Sequence, residues 1–543
     1  MMPHVTTSKA VIAAAPGSSG QAVLARLRAP RPVQWAVPLA WVLGVAAAFA
    51  CYLELARTRA VNSDGASQAL QAWDMLHGNL LLHGWALTDV SFYTTELPQY
   101  MLVELVRGLN ADVVHVAAAM TYTLAVLLAA LLAKGKSTGR EALVAVLVAA
   151  GIMLTPQLDS GVNVLISSPD HIGTSVPVMV VWLILDRSRA RWYIPVIAGA
   201  LLGWAQVADM LVLYIGVLPL ALVCAVRVYK AVVIERRPLE SQWYELSLGG
   251  AALAGAVAAT LAVAIIHAHG GFFVRAPVTM FAAGSLLPSH LALTVEGLLL
   301  LGGADFLGLR MGVSAALVLL HVVGVLLAGW GTWLAARRFL RDLDLVAAVL
   351  VAAIVINLVS YLLSTSARTV PSSREIAAVL PFAAALAGRL LAKRLLAARL
   401  VPLLLVALLG YLVGLAHEII QPPVPPQNAA LTSWLTARHL HTGLSGYWES
   451  NIVTLTSGNR VQIRLVSPAG ALLTAGAEEV NASWYDPARA TANFVVLFPG
   501  VSGYPGFTRA HAALATFGPP ARTYHVGPYL VLVWNKNLLK ELR

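Results

Sequence analysis

Asp64 is the first residue whose type and setting invite chemistry. It stands in VNSDGASQALQAWDMLHGN (residues 61–79), a polar stretch that follows an apolar run. A carboxylate there can act as a general base toward a hydroxyl. The plainer role is a helix N-cap, open to Ser63 or Asp64. Asp74 lies ten residues on, about 1000° of helical rotation, which leaves it about 80° round from Asp64. The two carboxylates do not converge on one atom, so Asp74 reads as an ordinary polar-face residue. Asp89 and Glu96 bracket a turn that holds Tyr93, Thr94 and Thr95, and they can line the same mouth.

Two further clusters carry candidates. SSPDHIGTSVPV (167–178) offers Asp170 and His171 as metal ligands or acceptor contacts, or Asp170 as a helix cap. Two adjacent ligands fall short of the three or four that a zinc site uses, so no metal site is assigned, although a divalent metal is compatible. STSARTVPSSREIAAVLPF (364–382) carries Arg368 and Arg374. A guanidinium holds a phosphate in two parallel hydrogen bonds, and it can equally anchor to lipid headgroups. Arg275 and Arg310 are weaker candidates of that kind.

The elements that must position these groups are membrane helices. Of 543 residues, 58% are hydrophobic and 12% charged, against about 25% charged in a soluble domain. Mean hydropathy is +0.75. Cys51 and Cys224 both lie in apolar runs and provide no disulfide framework. The net charge of +11 sits in short blocks between apolar runs, which is topology information and argues against a nucleic-acid partner. Eleven spans follow from hydropathy. They lie near 34–54, 112–133, 142–156, 172–186, 193–208, 210–226, 247–268, 312–335, 345–364, 376–392 and 400–416. Basic clusters at Arg26–Arg31, Lys134–Arg140, Arg187–Arg191, Arg227–Arg237, Arg337–Arg341 and Arg389–Arg399 all fall on the side of the N-terminus. That side, with its tail 1–32, is therefore cytoplasmic, and the C-terminal region is extracytoplasmic. The long basic leader favours an uncleaved anchor over a signal peptide.

Within the membrane domain, 33–416, two outer loops are long: 57–111 and 269–311. In the first, SDGASQALQAWDMLHGN and ELPQYMLVELVRGLN pattern as amphipathic helices lying along the membrane surface. The second is apolar and hugs or re-enters the bilayer. QPPVPPQ closes a linker, 417–427, of stiff extended character. Residues 428–543 then read as a small α/β domain. LTSWLTARHL and TRAHAALATFG pattern as helices, and NIVTLT, VQIRLV, ANFVVLF and YLVLVW as strands. The fold class is thus mainly α, a polytopic helical membrane protein with a small α/β tail.

Several signals are set aside. GKST at 135–138 lacks the earlier glycine of a phosphate loop, since position 130 is alanine. His267 and His269 point to different helix faces. The NAS at 481 is an isolated glycosylation pattern. His321 and Asn357 lie within spans as interhelical hydrogen-bond partners. Gln206 and Asp209 line a cavity or cap a helix at the turn between spans five and six.

With these residues placed, the layout resembles the GT-C superfamily of membrane glycosyltransferases. VNSDGASQALQAWDMLHG is similar to that superfamily's first external loop, with Asp64 in the place of its acid. SPDHIGTSVPV resembles its second polar motif, and SREIAAVLPFAAALAG its late arginine segment. AGALLGWAQVADMLVLYIGVLPLAL resembles its paired helices with a polar break. Asp64 is followed by Gly65 where many members have a second acid. The resemblance implies sugar transfer from a polyprenyl-phosphate donor to a glycan, lipid or protein acceptor at the extracytoplasmic face. Asp64 would be the catalytic base, with Asp170, His171, Arg374, Arg368, Glu96 and Tyr93 as substrate contacts. Two other classes compete. A flippase of a lipid-linked substrate would show repeats and broken helices at mid-membrane. A cell-envelope scaffold would work through its tail.

Overall fold

The computed structural model describes residues 33–158, 160, 162–275, 278–341, 344–426, 428–498 and 510–542. The N-terminal tail with Arg26, Arg28 and Arg31 lies outside the described residues. Helix α1, Val33–Arg57, spans the end of one unit, which closes at Ala48, and the start of a second that runs from Phe49 to the C-terminus. In the first long loop follow α2, Ser63–Leu76, strand β1, Trp85–Leu87, and α3, Glu96–Arg107. Then come α4, Asp112–Lys134, α5, Gly139–Ile152, α6, Asp170–Arg187, α7, Tyr193–Ala208, and α8, Leu218–Tyr229. Helix α9, Trp243–Ala268, leads to strand β2, Phe273–Val274. Helices α10, Leu287–Leu301, α11, Val313–Arg338, α12, Leu345–Leu363, α13, Val379–Ala397, and α14, Val401–Ile419, complete the helical part.

Helices occupy all eleven places read as spans. Among the described residues, eight helices are long and apolar enough to cross a membrane, or nine if the segments Val370–Ile376 and α13, bent by 56° at their junction, count as one. Helices α5, α6 and α7 fall outside that set because they are short or carry charge at their ends. Gly284–Leu301 falls inside it, although its sequence lies in a loop read as hugging or re-entering the bilayer.

Close backbone contact builds part of the bundle. A side chain at Gly203 of α7 would come 2.6 Å from the Gly255 carbonyl of α9, and one at Gly255 would collide with the Gly199 carbonyl. Small residues let helix backbones approach in this way in membranes. At one end of the bundle Arg389 of α13 pins three elements. It donates to Asp186 at 2.6 Å, to Asp344 at 3.1 Å and to the Leu132 carbonyl at 2.8 Å.

The tail begins with α15, Ala429–Ala437, strand β3, Thr442–Ser445, and α16, Tyr447–Thr456. It continues with β4, Gln462–Ala469, β5, Leu472–Ala475, β6, Val480–Asn481, β7, Phe494–Leu497, helix α17, Ala510–Phe517, β8, Arg522–Val526, and β9, Tyr529–Val533. The main sheet has the order β5-β4-β3-β7-β9-β8. Strand β3 is parallel to both β4 and β7, and the outer pairs are antiparallel. NIVTLT, read as a strand, is the end of α16. Its β-branched residues suit a strand locally, but Ile452, Val453 and Leu455 bury on the helix, with Val453 in the core beside Leu431 and Ile463.

The tail is joined to the two long loops through backbone pairing. A small second sheet has the order β2-β1-β6 and so draws on both long loops and the tail. Trp85 pairs with Asn481 and Ala86 with Val480. Beside it, the buried Glu479 carboxylate accepts from Ser67, from Gln71 Nε2 at 2.8 Å, and from the Thr88 amide at 3.0 Å and hydroxyl at 2.8 Å. Helix α2 is therefore not a surface helix open to water. Its polar residues Ser63, Ser67, Gln68 and Gln71 are buried, because the tail supplies partners for Ser63, Ser67 and Gln71 and Asp170 supplies one for Gln68. Helix α3 keeps the amphipathic pattern, with Leu102, Leu105 and Val106 exposed and Leu97, Tyr100 and Val103 buried.

Two outcomes test this packing. Gly255→Val forces α7 and α9 apart at an overpacking cost of about 1–3 kcal/mol and lowers the thermal unfolding midpoint in nanodiscs, and an unchanged midpoint would contradict the contact. Glu479→Ala removes hydrogen bonds worth about 0.5–1.5 kcal/mol each. Hydrogen–deuterium exchange then speeds up at residues 84–87 and 480–482, while the bundle amides keep their protection.

Candidate functional site

Asn62 sets up the site by taking the N-cap of α2, its side chain accepting from the Gly65 amide at 2.8 Å. That leaves Asp64, in the first helical turn, free of the capping role that the sequence allowed it. Its side chain turns into a cavity of about 80 Å³ lined by Asp64, Gln68, Gln71, Thr88, Asp89, Val90, Phe92, Asp170, His171, Arg374 and Glu479. Gly65 needs to be small here, since a Cβ would lie 2.7 Å from Val114.

Arg374 comes from the short helix Val370–Ile376 that precedes α13. Its guanidinium lies 3.4 Å from Asp64 Oδ2, 3.8 Å from Asp89 and 3.8 Å from Glu375. Asp64 Oδ1 accepts from the hydroxyl of Tyr447, which belongs to the tail. Burial raises the Asp64 pKa above the ordinary carboxylate value. Asp170 and Asp89 add to the rise, and Arg374 and Tyr447 oppose it.

Asp170 and His171 open α6 and reach the same cavity. Pro169 occupies the cap position, so Asp170 is not the helix cap. Asp170 has a φ of +31°, a left-handed conformation that costs a non-glycine residue energy and is found where the surroundings hold a side chain in place. Gln68 Nε2 donates to it at 3.4 Å. His171 Nδ1 faces Asp209 at 2.9 Å and Nε2 faces Glu375 at 3.5 Å. Asp209 also accepts from Thr174 at 2.5 Å and from the Leu211 amide at 2.8 Å. Burial works against charge on Asp209, yet His171 and these donors outweigh it and hold its carboxyl below the ordinary value. Asp209, read as a cap or a cavity residue, thus orients His171.

Asp89, His171 and Glu375 offer ligand atoms that all lie within 4.8 Å of one another. An imidazole whose other nitrogen is held by a carboxylate, as Asp209 holds His171, is in the usual posture of a metal ligand. The three residues fit a divalent cation, in competition with Arg374 for the same carboxylates.

Three candidates lie elsewhere. Tyr93 donates its hydroxyl to the Leu80 carbonyl at 2.8 Å and packs on Phe272. Arg368 is exposed and donates to the Thr365 carbonyl at 3.0 Å. Glu96 is fully buried against Gly173 and accepts from Thr95. Burial pushes it up to about 8, so it is a mostly neutral acid in the packing of α3. These three, read from the sequence as substrate contacts, do not line the cavity that Asp64, Asp170, His171 and Arg374 share. Asp74 is structural, accepting from Trp85 Nε1 at 2.7 Å and Asn79 at 2.7 Å. The sequence reading missed Glu375, Tyr447 and Glu479. Glu375 was visible as the acid beside Arg374. No local signal marks the other two, which arrive from the tail.

No protein-family model matches the chain, and no curated protein sequence matches it. Solved structures do. ArnT from Cupriavidus metallidurans bound to undecaprenyl phosphate superposes with a TM-score of 0.54 at 12% identity, covering 92% of this chain and 98% of that one. The same protein in the apo state gives 0.54 at 14% identity, over 91% and 98%. The apo oligosaccharyltransferase of Archaeoglobus fulgidus gives 0.48 at 14% identity, over 84% and 69%. The likeness to ArnT runs through nearly the whole of both chains, bundle and tail together, and the chain therefore shares the fold of that protein.

Proposed function

We propose that this protein is a membrane glycosyltransferase that moves a sugar from a polyprenyl-phosphate donor to a hydroxyl of a glycan, lipid or protein acceptor at the extracytoplasmic face. The observation that carries the reading is the meeting of Asp64 and Arg374, 310 positions apart in sequence, at 3.4 Å in one polar cavity. The shared fold with a protein solved with undecaprenyl phosphate bound supports a polyprenyl-phosphate leaving group. The charge pattern of the loops supports an outer cavity and a cytoplasmic N-terminus.

The proposed chemistry uses one carboxylate as base and one guanidinium as charge compensator. The acceptor oxygen attacks the anomeric carbon from the face opposite the phosphate, with inversion. The bond from that carbon to the phosphate oxygen breaks, and its electron pair leaves with the polyprenyl phosphate. The acceptor's proton passes to Asp64. Arg374 offsets the charge that grows on the leaving phosphate. Asp170 and His171 lie beside Asp64 and orient the sugar or the acceptor. A divalent cation held by Asp89, His171 and Glu375 would supply further charge compensation when bound.

The test uses nanodisc-embedded protein, a panel of polyprenyl-phosphate hexoses and pentoses with mixed hydroxyl acceptors, and release of polyprenyl phosphate as readout. Asp64→Asn lowers turnover by about 10²–10⁴-fold, and Arg374→Ala by about 10²–10³-fold, both at unchanged expression and monodispersity. Full turnover in Asp64→Asn would remove Asp64 as the base. Because the base must be ionised and its pKa is raised, turnover is complete at high pH and falls as pH drops through a value above the roughly 3.9 of a free aspartate. An acid limb at or below that value would contradict the assignment.

A further inference from the structure

We propose that Tyr447 of the C-terminal domain is a positioning residue for Asp64, fixing the carboxylate so that Oδ2 is the atom that receives the acceptor's proton. The inference rests on the glycosyl-transfer reading above.

The observation is a grip at two points. Tyr447 is the first residue of α16, which starts directly after β3, flanked on both sides by the parallel neighbours β4 and β7. In open sheets with parallel strands, ligands bind outside the carboxyl ends of the strands, and Tyr447 follows the carboxyl end of β3. The Tyr447 hydroxyl donates to Asp64 Oδ1, while the adjacent Ser63 hydroxyl donates to the Tyr447 backbone carbonyl at 2.5 Å. Neighbouring residues of α2 thus hold both ends of one tyrosine. Ser450, one turn along α16, donates to the same carbonyl at 3.3 Å.

The tail is set in place for this. Asn451 of α16 donates to the Glu479 backbone carbonyl at 3.3 Å, and the Glu479 side chain meets α2 at Ser67 and Gln71. Glu479 has a φ of +54°, a conformation that persists in a non-glycine residue only when the surroundings impose it. Helix α2 therefore meets the tail twice, at Ser63–Asp64 and one to two turns on.

The division of labour follows from the two oxygens of Asp64. Oδ1 is occupied by the phenol, and Oδ2 faces Arg374 at 3.4 Å, a distance that leaves Oδ2 open to a closer donor. An acceptor hydroxyl hydrogen-bonded to Oδ2 would sit beside the guanidinium that compensates the phosphate. Without the phenol the carboxylate can rotate about its last bond, and misplacement by about 1 Å costs about 10²-fold in rate.

The experiment compares the full-length wild type with Tyr447→Phe, which keeps the ring, in nanodiscs on the lipid-linked sugar panel. The expected result is a kcat lower by about 10- to 100-fold at an unchanged KM for the donor. The acid limb of kcat also shifts to higher pH, because the phenol favours ionised Asp64 alongside Arg374 and against Asp170 and Asp89. A purely structural role would leave that limb in place. A second arm needs no turnover: p-benzoylphenylalanine at position 447 photo-crosslinks to the segment Ser63–Leu76. Full kcat in Tyr447→Phe, or no crosslink to that segment, overturns the role of Tyr447 while leaving Asp64 as the base. A wild-type protein that turns over no lipid-linked sugar overturns the transfer reading and this inference with it.

Discussion

The site depends on one guanidinium among carboxylates. Arg374 lies within 4 Å of Asp64, Asp89 and Glu375. Asp170 borders the same cavity. Acids gathered in a semi-enclosed space repel one another and resist ionisation. Here the arginine, the imidazole of His171 and donors from Tyr447, Gln68, Ser67, Gln71 and Thr88 share the compensation. Removing the arginine would leave acids facing acids. The bend of 56° between Val370–Ile376 and α13 is what brings Arg374 to this level rather than leaving it at the end of a straight helix.

A second consequence concerns water. A polar cavity beside lipid-facing helices must hold its polar groups in fixed directions, because unpaired ones are costly away from water. The solution is a cover built from remote chain. Strands β1 and β2 come from separate loops and β6 from the tail, and Thr88 and Glu479, which adjoin β1 and β6, line the cavity. Glu479 then does for α2 what solvent does for an ordinary surface helix. This is why α2 is both polar and buried, a combination that composition alone leaves puzzling.

The legibility of the sequence divides along these lines. Local signals, such as apolar runs, charge blocks and polar clusters at helix starts, place the helices and bring out Asp64, Asp170, His171 and Arg374, which do share a cavity. Tyr93, Arg368 and Glu96 carry the same kind of local signal but turn away, toward Phe272, Thr365 and Gly173. Residue type and depth do not encode side-chain direction. The strand reading of NIVTLT fails for a related reason. Its β-branched residues favour extension, and what overrides them is burial of Val453 beside Leu431 and Ile463, residues of α15 and β4 on either side of it in sequence. Tyr447 and Glu479 needed pairing across 383 and 412 residues, which no periodicity reveals.

The arrangement also bears on why the tail stays attached to the bundle. A freely hinged domain on a proline-rich linker would pay its ordering entropy each time it closed over the cavity. Here the linker itself is tied back, with the Val424 amide donating to the Arg57 carbonyl at the end of α1 at 2.9 Å. Arg57 in turn holds Asp112 at the start of α4. Arg59 pairs with Glu418 near the end of α14. The segment leading into α2 is thus fixed at its base by three helices and at its tip by Tyr447. A carboxylate mounted between two such anchors has few orientations left, and that rigidity is what positioned acid–base chemistry requires.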